Sequence, residues 1–262
     1  EIMPSLVGSE MCIRDSYKNK ITYLPDEKKT TVMDGHGGYM NGSRYYGEDL
    51  PINTWYMKRF AGLSEDGLSL WYYTDKETNE EKTTTTYSTG DFYLCGDPNP
   101  DLYGGFGTSI TFHGFDLSTQ FSYLVGGLTY DYGYAGMMGN PTATSVGNRW
   151  HKDVLKAWSP ENPSSTIPRW YFNDLNTTGS SDRFLIDGSY LNLQNIQVGY
   201  TLPDSWTSHL KIKNLRLYFV CDNVYYWSKR KGLDPRRSIS GVGTSGKIAP
   251  FRTYSGGISL QF

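Results

Sequence analysis

Tyr254-Ser255-Gly256-Gly257-Ile258-Ser259-Leu260-Gln261-Phe262 closes the chain and decides how the rest is read. Alternate residues back from the end are Phe262, Leu260, Ile258, Gly256 and Tyr254; between them lie Gln261, Ser259, Gly257, Ser255 and Thr253. Successive side chains of a strand point to opposite faces, so this segment is expected to have one apolar face and one small polar face. Two architectures accept such a strand. A soluble sandwich can end on it, although a flat apolar edge left uncovered invites aggregation. A transmembrane β-barrel turns the apolar face to lipid and the polar face to the lumen, and closure removes the edge. Strands of about 9–11 residues suffice to cross.

Composition favours strands. Aromatic residues make up 15% of the chain, with 22 Tyr and 29 Gly, while hydrophobic residues reach only 37%. Mean hydropathy is −0.54. Low hydropathy with many Tyr and Gly fits alternating strands better than helices. No run of about 18 apolar residues occurs, which excludes a transmembrane helix. The net charge of −2 provides no electrostatic case for nucleic acid. Cys12, Cys95 and Cys221 are too few and too scattered for a disulfide framework. The chain starts at Glu1 without a secretory leader and reads as cut there.

Residues 1–16 (EIMPSLVGSEMCIRDS) do not match the remainder of the chain and resemble a translated sequencing-adapter tail, for which no evolved fold is expected. Residues 25–46 are charged or Gly-rich and read as loop. Aromatic strands are expected at 52–60 and 68–73, around a connection at 62–67 with Gly at both ends. The charge cluster at 76–86 reads as a solvated tip.

The alternation then sharpens. Ile110 and Phe112 share one face, His113-Gly114-Phe115-Asp116 reverses the chain, and Leu117, Thr119, Phe121, Tyr123 and Val125 alternate against Ser118, Gln120, Ser122 and Leu124. Two such runs about so short a turn form a hairpin. Residues 129–138 are expected to prolong its second strand. Residues 139–187 interrupt the strands, with a short helix expected over 149–158. In the next strand, 188–201, the phase changes: Ile196, Val198 and Tyr200 share parity with Tyr190, Asn192 and Gln194, and Leu191 and Leu193 oppose them. A bulge, or a strand that outruns the bilayer, accounts for this. After a short connection, Leu215, Leu217, Phe219 and Cys221 alternate against Arg216, Tyr218, Val220 and Asp222. Tyr225-Tyr226-Trp227 ends that run as an aromatic cluster, as expected where a strand leaves lipid. A basic loop comes next, at 228–245. Short connections thus alternate with long ones, as in a bacterial membrane barrel.

Taken in order, several stretches resemble the C-terminal end of the SusC-like (SusC/RagA) branch of TonB-dependent outer-membrane transporters. They are GDPNP (96–100) leading to YGGF (103–106), FHGFDLSTQFSY (112–123) and WSPENPSSTIPR (158–169). SDRFLIDGSYLNLQNIQVGYTLP (181–203), LRLYFVCDNVYYWSKRKGLDP (215–235) and RTYSGGISLQF (252–262) complete the set. Together they cover nearly all of 17–262. The resemblance implies an all-β fold: an antiparallel transmembrane β-barrel sector, roughly the last six of about 22 strands, with long extracellular loops. Residues 25–104 would be mostly extracellular elaboration and 105–262 barrel strands and loops. The plug and the TonB-contacting segment would lie in an N-terminal part that this chain lacks.

The same resemblance implies outer-membrane uptake of oligosaccharides, and sometimes peptides, beneath a SusD-like surface lipoprotein, energised by the TonB complex. Outer-membrane lipid and the barrel-assembly machinery would be the other partners. Tyr254, Gly256, Ile258, Leu260 and Phe262 match the barrel-assembly signal, or simply pack against lipid. On phase alone, Leu260→Arg is expected to block insertion and Gln261→Arg to be tolerated. Trp55, Tyr56, Trp71, Tyr72, Tyr73, Trp150 and Trp158 would contact substrate or lid, or pack the loops on one another. Asn192, Gln194, Arg216 and Asp222 are expected to face the lumen, toward substrate or within a wall network. No catalytic set, metal site or cofactor is expected: His36, His113, His151 and His209 lack ligand spacing, and no phosphate loop or G-x-S-x-G turn occurs. The alternative is a secreted carbohydrate-binding β-sandwich module.

Overall fold

The computed structural model describes residues 10–15, 19–143, 147, 149–177, 179–207, 212–230, 234–237, 240–242 and 250–262. His209 and most of the 1–16 segment lie outside them. In chain order the strands begin with β1 (Glu10–Asp15), β2 (Thr31–Met33), β3 (His36–Asn41), β4 (Arg44–Gly47) and β5 (Thr54–Lys58). Next come β6 (Phe60–Leu63), β7 (Ser69–Thr74), β8 (Glu81–Thr84) and β9 (Phe92–Leu94). The longer strands are β10 (Leu102–Phe112), β11 (Phe115–Val125), β14 (Tyr190–Thr201), β15 (Asn214–Ser228) and β16 (Thr253–Gln261), with short β12 (Leu128–Tyr130) and β13 (Leu185–Asp187) between.

The long strands make one antiparallel sheet, ordered β1-β10-β11-β14-β15-β16. Its register aligns the side-chain alternation from strand to strand. One face carries the row Phe112, Phe115, Tyr200, Leu217, Ile258 and next to it Ile110, Leu117, Val198, Phe219, Gly256. Two further rows are Thr108, Thr119, Ile196, Cys221, Tyr254 and then Phe106, Phe121, Leu193, Tyr225. The opposite face carries Ser109, Ser118, Gln197, Val220, Ser255 and Gly107, Gln120, Asn195, Asp222, Thr253. Among the described residues no second layer covers the apolar face: Phe115 is 56% exposed, Phe219 49% and Ile258 65%. That arrangement is the reverse of a sandwich, in which these rows would be the core.

The expected bulge is present. Leu193 pairs with Phe121 and Asn195 with Gln120, leaving Gln194 as the extra residue. Leu191 and Leu193 therefore rejoin Ile196 and Val198 on the apolar face. On β15 the irregularity is taken up at Asn223, whose φ of 53° lies in the left-handed region. The β10–β11 hairpin turns on His113 and Gly114, both at positive φ, as a two-residue turn with the twist of its strands requires. This short turn and the β14–β15 connection lie at one end of the sheet. The β11–β14 and β15–β16 connections, and the entry to β10, lie at the other.

At the long-loop end stands a separate structure, and here several expectations change. The presumed loop at 25–46 holds β2, β3 and β4, which with β5 and β9 form a five-stranded sheet. The presumed tip at 76–86 supplies β8, which pairs with β7 in a three-stranded sheet with β6. Residues 129–138 do not extend β11. Asp131 accepts a hydrogen bond from the Tyr134 amide and starts a six-residue helix, Tyr132–Met137. The helix expected over 149–158 is reduced to a 3-10 turn, Lys152–Lys156, and Leu155 is 90% exposed, so its apolar residues do not form one buried stripe. Glu10–Asp15, set apart by composition, forms β1 on the outer edge of β10, a backbone pairing that demands no matched side chains.

Candidate functional site on the polar face of the wall

The polar face owes its chemistry to two cross-strand networks. Near the short-turn end Arg216 of β15 reaches over β14 to Asp116 of β11, donating through Nε at 2.9 Å and Nη2 at 2.5 Å. The residue between them is Gly199, where a Cβ would collide with both side chains. Asp222 accepts from Asn195 Nδ2 at 2.6 Å. Arg216 and Asp222, both expected to face the lumen, thus lie on the polar face as a wall network.

The second network gathers at the bulge. Asn192 is buried and donates to Ser122 Oγ at 3.3 Å. It accepts at 2.6 Å from Arg236 Nη1, a residue of the loop after β15. The same nitrogen reaches Asn223 Oδ1 at 2.9 Å. Arg236 Nε and Nη2 grip the Asp234 carboxylate, each at 2.8 Å, and its guanidinium lies 4.6 Å from the centroid of the Tyr226 ring. These hydrogen bonds raise the Arg236 pKa, with Asp234 the first cause. Gln194 sits at the bulge itself, exposed on the same side. Asn223 is adapted to its left-handed backbone and ties the start of β16 by donating to the Pro250 and Phe251 carbonyls.

The same loop is sewn into the structure at the long-loop end. Gly241 O accepts from the Tyr130 amide at 2.8 Å, and Arg44 donates to the Ser240 carbonyl. Arg44 lies 3.1 Å from the Trp55 ring centroid, and burial pushes its pKa down to about 10. Trp55 is fully buried with Met57, Tyr130, Met138 and Phe184 in the core. Trp71 is 1% exposed and Tyr56 6%. Of the two roles expected for Trp55, Tyr56 and Trp71, contact with substrate or lid and packing of the loops, their burial fits the second: their rings form the interior of the two small sheets. Lys58 is buried too, and burial lowers its pKa. Its ammonium donates to the carbonyls of Tyr87, Ser88 and Gly90.

Tyr72, Tyr73, Trp150 and Trp158 are half-buried. Trp158 covers Gly67, and Trp150 packs edge-on against Trp170 with both indoles donating to the Gly139 carbonyl. More exposed aromatics stand in a run that sequence reasoning missed, Trp170-Tyr171-Phe172. Also missed were Tyr103, Tyr190, Asp234 and Arg236. The Leu-Asp-Pro motif and the parity of β10 pointed at them only weakly. On β16, Tyr254, Ile258 and Leu260 lie exposed on the apolar face, Gly256 shares their register, and Phe262 comes last at 73% exposure. Among the described residues no group of three or more His, Cys, Asp or Glu is placed to hold a metal ion.

A sheet bare and apolar on one face, polar and hydrogen-bonded on the other, with unequal connections at its two ends, is the wall of a transmembrane β-barrel. No protein-family model matches the chain. Curated proteins do. It is 28% identical, over 94% of its length, to TonB-dependent receptor P3 of Formosa agariphila, and 24% identical over 90% to receptor P26 of the same organism. It is 27% identical over 68% of its length to TonB-dependent receptor SusC of Bacteroides thetaiotaomicron. The chain spans about a quarter of the length of the two Formosa relatives and 17% of that SusC. Among solved structures, the RagAB peptide transporter matches with a TM-score of 0.70 at 25% identity, over 86% of this chain and 24% of that one. The RagAB peptide importer in its 'open-open' state matches with a TM-score of 0.69, over 89% of this chain and 25% of that one. The chain thus resembles the barrel of SusC/RagA-like TonB-dependent receptors, and its sheet is a wall of the kind found in outer-membrane barrels.

Proposed function

We propose that this chain is the C-terminal wall of a nutrient importer, working as part of a SusC–SusD type complex and carrying oligosaccharides, with peptides the second candidate cargo. The observation that carries the reading is the bare apolar face backed by a polar, hydrogen-bonded opposite face, together with relatives named as TonB-dependent receptors. The peptide alternative is favoured by the RagAB structures, which are described as a peptide transporter. In this reading residues 25–104 and the long loops face outside, beneath a SusD-like lipoprotein. TonB acts on a plug supplied by another part of the receptor. Residues 17–262 belong to the receptor, and the segment 1–16 does not.

Tyr254, Gly256, Ile258, Leu260 and Phe262 serve as the assembly signal, their apolar parity matching the lipid face of β16. Tyr72, Tyr73, Trp150 and Trp158 meet cargo or lid. Asn192, Gln194, Arg216 and Asp222 line the passage. No enzymatic step is assigned. The test is uptake by cells carrying or lacking the full-length receptor, with and without an uncoupler. Receptor-dependent, energy-dependent accumulation of a glycan supports the proposal, whereas uptake that survives loss of the receptor or of energy refutes it.

A further inference from the structure

The bulge network has a second consequence. Pro235 and Arg236 stand off the polar face and enclose a cavity of about 700 Å³ against β10, β11 and β14. Tyr103, Ser122, Tyr190 and Gln194 line it from the wall side. Among the described residues Arg236 is its one charged lining group, and all three guanidinium nitrogens are already engaged by Asp234, Asn192 and Asn223. No hydrogen bond among the described residues engages the Gln194 amide or the phenol hydroxyls of Tyr103 and Tyr190. Among the described residues the cavity therefore presents aromatic faces with polar rims, one free amide able both to donate and to accept, and no uncommitted charge.

A charged ligand entering here would shed water without meeting an uncommitted counter-charge on those residues, which is costly. A neutral, hydroxyl-rich ring meets both surfaces it needs: a flat apolar face and scattered hydrogen-bond partners. The volume lies within the usual range for small-ligand pockets, about 300–1,000 Å³. We infer that the cavity between the β10–β14 wall and the Pro235–Arg236 turn is a subsite for uncharged saccharide units, with Arg236 a positioning residue that pins its outer wall at the bulge. This inference rests on the import reading and adds to it a place, a selectivity against charge and a latch.

The test uses the full-length receptor in detergent, each variant first shown to keep wild-type heat-modifiability. Calorimetric titrations with maltohexaose, xylohexaose and mannohexaose are set against trigalacturonate and a hexa-alanine peptide. At least one neutral hexasaccharide should bind in preference to both others. Tyr190→Ala and Arg236→Ala should each weaken it about tenfold. Arg236→Lys should recover part of the loss, and Val125→Ala, on the lipid side, should change nothing. Unchanged affinity in Tyr190→Ala, or preference for the anionic or peptide probe, overturns the subsite while leaving import intact. A wild-type receptor that binds no oligosaccharide overturns the subsite and the glycan-import reading together.

Discussion

Replacing Ile196 with Arg tests the wall most directly. Ile196 occupies the row Thr108, Thr119, Cys221, Tyr254 on the apolar face. Four residues separate that row from the Phe112 row toward the short turns, and four from the Gly104–Tyr123 row toward the long loops. At about 3.4 Å per residue the band between those limits is about 27 Å along the strands, and Ile196 sits at its middle. An Arg at the midplane of a barrel's lipid face costs about 2–4 kcal/mol. That is about a 30- to 900-fold smaller folding equilibrium constant. Gln197 is the adjacent residue with opposite parity, in the row Ser109, Ser118, Val220, Ser255, where an Arg faces water and small neighbours. The assay is folding of the full-length receptor into lipid vesicles, followed by heat-modifiable gel mobility. Ile196→Arg should fail to fold under conditions where Gln197→Arg folds normally. Equal folding of the two variants would show that the apolar rows do not meet lipid. The same rows revise the expectation for Leu260. It pairs with Leu215, about six residues or ~20 Å along the strands from the Ile196 row and two residues beyond the Phe112 row that bounds the band. Leu260→Arg should therefore cost only about 0–1 kcal/mol and leave insertion largely intact.

Gly199→Val should destabilise the barrel by about 1–3 kcal/mol, because a side chain there displaces the Asp116–Arg216 pair; an unchanged urea midpoint would show that the pair passes elsewhere. Asn223→Val forces a β-branched residue into the left-handed region at a cost of about 1–2 kcal/mol and frees the Pro250 and Phe251 carbonyls. A lower melting temperature than for Asn223→Gly is the expected reading. Lys58→Met strips the donor from three carbonyls and should cost about 1–3 kcal/mol, seen as faster proteolysis near residues 86–91. Cleavage at the wild-type rate would mean that the ammonium does not hold that loop.

The strands and their parity could be read from the chain because alternation is a local, two-residue property. Leu215, Leu217, Phe219 and Cys221, and Ile258 with Leu260, announced their face without reference to neighbours. So did the His113-Gly114 turn, whose backbone conformation suits few other residue pairs. The change of phase between Leu193 and Ile196 is likewise local, and it marked the place of the bulge. The tertiary structure decided what depends on the partner. Aromatic identity could not say whether Trp55 and Trp71 stack on a ligand or fill a core, since the same ring suits both; burial settled it. The helix at Tyr132–Met137 arises from a cap at Asp131, which outweighs residues otherwise suited to a strand. The meeting of Arg236 with Asn192 and Asn223 joins positions 44 and 13 residues apart, and only the register of β14 and β15, with the bulge between them, brings those amides to one place.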